Sequence, residues 1–98
     1  MAPALLLALA ALAPTIDLPR ACHGQEKGLP NEQRASAYNA CMQAEQAALT
    51  ELNKKWSSFP AAARQPCAAL AKIFDSYVEL LVCIEIRTGN GLTSPAQK

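Results

Sequence analysis

The stretch Asp75-Ser76-Tyr77-Val78-Glu79-Leu80-Leu81-Val82-Cys83-Ile84-Glu85-Ile86-Arg87 decides the fold of this chain. From Tyr77 to Ile86 it is apolar almost all round, interrupted only by Glu79 and Glu85. The core of the run, Leu80 to Ile84, has the composition of a buried strand, and periodicity alone does not separate that from a buried helix. Two features favour the helix. Ser76 and Glu79 have the Ser-x-x-Glu spacing of a capping box, in which side chains satisfy the backbone N–H groups that a helix start leaves free. No other segment reads as a strand able to pair with this one. Gly89, just past Arg87, is a natural helix stop, because glycine takes the left-handed backbone that closes a helix end. A helix that is apolar on every side must be covered on every side. This segment is therefore expected to lie at the centre of the fold or to serve an interface.

Upstream, Ala35, Tyr38, Met42, Leu49, Leu52, Trp56 and Phe59 alternate by three and four residues, the spacing of one helical stripe. Glu45 is the one charged residue on that register and is expected at its edge or against a partner group. Asn31, after Pro30, is the expected N-cap, with Glu32 in the first turn where the helix dipole favours an anion. Alanines 37, 40, 44, 47 and 48 favour the helix and permit close approach of a neighbour. Ser57-Ser58-Phe59-Pro60 ends it, and Pro60 suits the first turn of the next helix. Trp56 and Phe59 are read as the plug of that corner rather than as a binding hot spot. Pro66 conflicts with an unbroken second helix. The expectation is an opening turn at 60–65, a kink or restart near Pro66, and a helix to Phe74 whose inner face carries Cys67, Leu70, Ala71 and Phe74.

The fold class is thus all-α: a helical hairpin or three-helix arrangement over about 31–57, 60–74 and 76–88, stapled by disulfides. Residues 14–30 hold three prolines and two glycines and read as an irregular arm. Residues 31–88 form the helical domain, and 89–98 read as a disordered tail.

Met1 to Ala13, MAPALLLALAALA, reads as a secretory leader: an apolar stretch too short to span a bilayer, ending in the small-x-small triplet Ala11-Leu12-Ala13. It lacks a Lys or Arg ahead of the apolar run, and Pro14 follows the triplet. The alternative is a start placed too late, with the charged region lying upstream, and it still implies export. Behind such a leader, in a chain of 98 residues, the four cysteines Cys22, Cys41, Cys67 and Cys83 read as two disulfides rather than as metal or redox thiols. A periplasmic or secreted location follows. No later segment has the length to cross a membrane. A net charge of +1 with scattered Lys and Arg excludes the clustered basic face of a nucleic-acid binder.

Four cysteines allow three connectivities. Cys22 and Cys41 are nearly equidistant from the turn at Pro30-Asn31, and Cys67 and Cys83 straddle the turn at Asp75. Antiparallel segments bring such positions together, which favours 22–41 with 67–83. Each closes a loop of about 15 to 20 residues, worth roughly 3 kcal/mol in the chain-entropy picture. The competitor is 41–83, which would tie the first helix to the third.

Several residue groups together have a familiar look: Cys41-Met42-Gln43-Ala44-Glu45-Gln46, Leu52 with Trp56-Ser57-Ser58-Phe59, Arg64 and Cys67, and above all Ser76-Tyr77-Val78-Glu79-Leu80-Leu81-Val82-Cys83. They resemble a group of small exported four-cysteine alphaproteobacterial proteins, as does Ile16-Asp17-Leu18 leading to Cys22. The resemblance covers most of residues 16–87 and implies an exported helical protein without implying an activity. Where that group has a glycine-containing turn, this chain has Lys72-Ile73-Phe74-Asp75.

No catalytic constellation stands out. Cys22-His23 is the only adjacent pair of soft ligands, and haem attachment would need a second cysteine in Cys-x-x-Cys-His spacing. No Cys-x-x-Cys pair suggests thiol redox catalysis. His23 is the only histidine and lies in the irregular arm, and Ser57, Ser58 and Ser76 are explained by helix ends. The expectation is a non-enzymatic envelope protein acting through protein contacts or as a structural or stress factor, with no cofactor and no metal. The alternatives are a small metal-handling protein or enzyme using Cys22 and His23, with Glu45 as a further group, and a periplasmic chaperone. Because one short helix cannot cover the whole 77–86 segment, Tyr77, Leu81, Val82 and Ile86 are the expected binding residues, facing a protein partner or a second copy of the chain.

Overall fold

The structure, a computed structural model, describes residues 12–89. The leader reading falls almost wholly outside these residues, and the tail reading does so from residue 90 onward. The described chain holds four helices: α1 (Leu18–Gly24), α2 (Asn31–Lys55), α3 (Ala61–Phe74) and α4 (Tyr77–Arg87). A single 3-10 turn, Trp56–Ser58, links α2 to the corner before α3, and there is no strand among the described residues.

The decisive segment is helical and central. The Ser76 hydroxyl accepts the Glu79 backbone N–H at 3.1 Å, as the capping-box spacing predicts. Past Arg87, Gly89 takes φ +73°, the left-handed stop. Tyr77, Leu80 and Ile84 are buried and join Leu52, Trp56, Phe59, Ala63, Cys67 and Ala71 in one core. Trp56 and Phe59 meet edge to face at the corner, ring centres 6.4 Å apart, so they do act as its plug.

Helix α2 buries Cys41, Glu45, Ala48 and Leu52, while Met42 and Leu49 sit at the rim of that stripe and Ala35 is exposed. Glu45 therefore lies at the centre of the buried face. Asn31 is the first helical residue; Pro30 occupies the N-cap position and no side chain caps that end. At the other end, Lys55 meets Glu51 one turn back at 2.6 Å. Their hydrogen bond, helped by the charge attraction, holds the Glu51 carboxyl below its usual range and the Lys55 ammonium above.

Helix α3 runs unbroken through Pro66, where a kink or restart was expected. Cys67, the next residue, is fully buried and bonded to Cys83 of α4, so tertiary anchoring outweighs the one lost backbone bond. Its inner face is Ala63, Cys67 and Ala71, spaced by four residues. Leu70 and Phe74, expected on that face, are 43% and 60% exposed. The clasp to α4 brings the two backbones close, and only small side chains fit between them.

Disulfides join Cys22 to Cys41 and Cys67 to Cys83, each with Cα atoms 5.6 Å apart, and the 41–83 alternative is excluded. The arm contains a short helix that the density of proline and glycine concealed. Asp17 caps it by accepting the Arg20 N–H at 3.1 Å, and Pro19 sits in the first turn where its missing donor costs nothing. Besides the disulfide, Tyr77 ties the arm down. Its hydroxyl donates to the Pro14 carbonyl at 2.8 Å and accepts the Ile16 N–H at 2.9 Å. Ile16 and Leu18 are thereby buried against the core.

Candidate functional site

Once α4 has committed Tyr77, Leu80 and Ile84 to the core, its outer side carries a different stripe. Glu79, Val82, Cys83, Ile86 and Arg87 follow i, i+3, i+4, i+7 and i+8, one face of a helix. Beside this stripe stand Leu70 and Phe74, one turn apart on α3 and turned outward for the packing reason just given. Together these residues line an open groove of about 270 Å³ between α3 and α4. Its floor is Cys83, half-buried and bonded to Cys67; Phe74 and Ile86, 60% and 61% exposed, form its walls. Glu79 and Arg87 mark its two ends. Ile73, beside Phe74 on α3, is 73% exposed but does not line the groove.

Val82 is a ridge shared with a second groove, between α2 and α4, lined by Ala44, Ala47, Ala48, Val78, Leu81 and Glu85. The alanines keep that side of α2 low. The two grooves share Val82, and each is lined mainly by apolar side chains. Scattered exposed hydrophobes are normal on a protein surface; here the exposed Leu70, Phe74 and Ile86 share one groove.

Of the four residues expected to bind, three come together here: Val82 and Ile86 on the groove, and Leu81, half-buried, on the far side of the ridge. Tyr77 is not with them. It is 3% exposed and spends its hydroxyl on the arm. Leu70, Ile73 and Phe74 were not foreseen as surface residues. The available signal was that α3 carries large apolar residues at 70, 73 and 74 and small ones at 63, 67 and 71, two sets that cannot share one face.

The groups considered for chemistry lie elsewhere and apart. Cys22 is in a disulfide, so it offers no thiolate. The His23 imidazole contacts the Glu26 carboxylate and stacks on Tyr38 with ring centres 4.2 Å apart. Glu45 is held inside the helix junction, accepting the Ser76 hydroxyl at 2.7 Å and the Tyr77 backbone N–H at 2.5 Å. No three His, Cys, Asp or Glu side chains converge as a metal site among the described residues. No helix among them is long and apolar enough to cross a membrane. A separate notch beside Trp56 holds the Arg64 guanidinium 5.8 Å over the indole ring, a cation–π contact that closes the α2–α3 corner.

Comparison with known protein families, curated proteins and solved structures finds no match for this chain.

Proposed function

We propose that this is an exported, non-enzymatic protein of the cell envelope that works by docking a protein surface into the groove between α3 and α4. The observation that carries the reading is the outward placement of Leu70, Phe74, Val82 and Ile86 around one groove on a disulfide-stapled scaffold. Large apolar side chains left in water cost solubility, and a contact surface is the use that offsets it. The two disulfides support an oxidising, exported setting. The Cys67–Cys83 bond also clasps the two helices that form the groove, and a rigid surface loses less entropy on docking.

The test is site-specific photo-crosslinking in the producing cells. A benzophenone side chain at Ile86 is expected to give discrete adducts that a Phe74→Lys change abolishes, while the same probe at Thr50, exposed on α2, gives none. Equal labelling from both positions, or none from Ile86, would overturn the docking reading. Suppression of client aggregation by the purified protein, lost with Phe74→Lys, would instead favour a chaperone that uses the same surface for many clients.

A further inference from the structure

We infer that the occupant of this groove is a second copy of the same chain, laid antiparallel across α4 so that Glu79 of each copy meets Arg87 of the other. The inference rests on the docking reading and names its partner. Its ground is charge complementarity on the groove itself. The outer stripe of α4 is apolar in the middle, at Val82 and Ile86, with an acid at one end and a base at the other. Eight residues separate Glu79 from Arg87, about 12 Å along the helix axis. Their midpoint is Cys83, the groove floor.

A stripe of that form is complementary to itself under a two-fold rotation. Placing the axis over Cys83 brings each copy's acid onto the other's base, which is the isologous pairing that closed dimers use. The same placement sets each Val82 near its counterpart beside the axis, puts each Ile86 at the level of the other copy's Glu79-to-Val82 turn, and runs the two α4 dipoles in opposite directions. Parallel placement would set acid on acid and base on base. Neither Glu79 nor Arg87 has an ion-pair partner among the described residues, so both charges are available.

The experiment uses the full oxidised chain and two charge variants, Glu79→Arg and Arg87→Glu. Sedimentation is expected to show a wild-type dimer and a self-association weakened about tenfold or more in either variant, because each places like charges together at both ends of the contact. Mixed in equal amounts, the two variants are expected to form a heterodimer by native mass spectrometry, since both ends are then oppositely charged. The double variant E79R/R87E should dimerise again. A merely structural role of either charge would not be rescued by mixing. A wild type that stays monomeric at millimolar concentration, or two variants that do not pair on mixing, overturns the second-copy inference. The docking reading is judged separately by the Ile86 crosslinks: adducts to a different protein would uphold it while the second-copy inference falls.

Discussion

Glu45, in the middle of α2, caps α4 from outside: its carboxylate accepts both the Ser76 hydroxyl and the Tyr77 backbone N–H. Ser76 in turn accepts the Glu79 N–H, so two of the donors freed at the start of α4 are satisfied through one buried carboxylate–hydroxyl pair. This junction fixes where α4 begins relative to α2. Residues 31 and 32 positions apart in sequence are locked in register by two hydrogen bonds.

Replacing Glu45 with Ala is therefore expected to destabilise the fold by about 1 to 3 kcal/mol, because it leaves a buried hydroxyl and a buried N–H without their acceptor. Glu45→Gln should cost less, since the amide oxygen still accepts one bond. Urea unfolding of both variants measures this. An alanine variant as stable as the wild type would show that the junction contributes nothing.

Tyr77→Phe removes the two hydrogen bonds to Pro14 and Ile16 while keeping the ring in the core. The expected loss is about 1 to 2 kcal/mol, felt mainly as release of the arm. Hydrogen exchange reads it directly. The Ile16 amide should lose protection in the variant while the Leu80 amide, inside α4, keeps its own.

Leu80 is fully buried and Leu81 is only half-buried at the second groove. Leu80→Ala is expected to cost about 2 to 5 kcal/mol and Leu81→Ala clearly less. Ordering the two by denaturant midpoint checks which side of α4 is core.

The two disulfides should differ in what they protect. Removing Cys67 and Cys83 together unclasps α3 from α4 inside the core and should lower the midpoint of global unfolding, by roughly 3 kcal/mol in the chain-entropy picture. Removing Cys22 and Cys41 frees α1 and the exposed N-terminal part of α2 but leaves the α2–α3–α4 core closed. Its main expected effect is faster proteolysis near α1.

Much of this was legible in the sequence because the signals were local. Ser76 with Glu79 marked the start of α4, Gly89 its end, and the equal distances of the cysteines from two turns gave the pairing. What was not legible depended on contacts between segments. The clasp of α3 to α4 selects Ala63, Cys67 and Ala71 for the interior and expels Leu70 and Phe74, a choice that hydrophobicity alone reverses. Asp17 and Pro19 did mark a helix start, but one hidden among other prolines and glycines. The turn before α4 lacks a glycine, and Asp75 supplies the left-handed residue instead, at φ +52°, with its carboxylate 3.1 Å from the Arg20 guanidinium of α1. The groove follows from these choices, so its α3 wall, Leu70 and Phe74, could not be read before the helices were packed.

The central claim is that α4 has a core face and a separate contact face, although its sequence is apolar on both. Lysine at Ile84 and lysine at Ile86 test it most directly, compared by urea unfolding at micromolar concentration. Ile84 has no exposed surface and Ile86 is 61% exposed. The structure predicts that Ile84→Lys fails to fold, while Ile86→Lys unfolds within about 0.5 kcal/mol of the wild type, as a surface change should. If Ile86→Lys unfolds as Ile84→Lys does, the outer face of α4 is part of the core and the groove is not a contact surface.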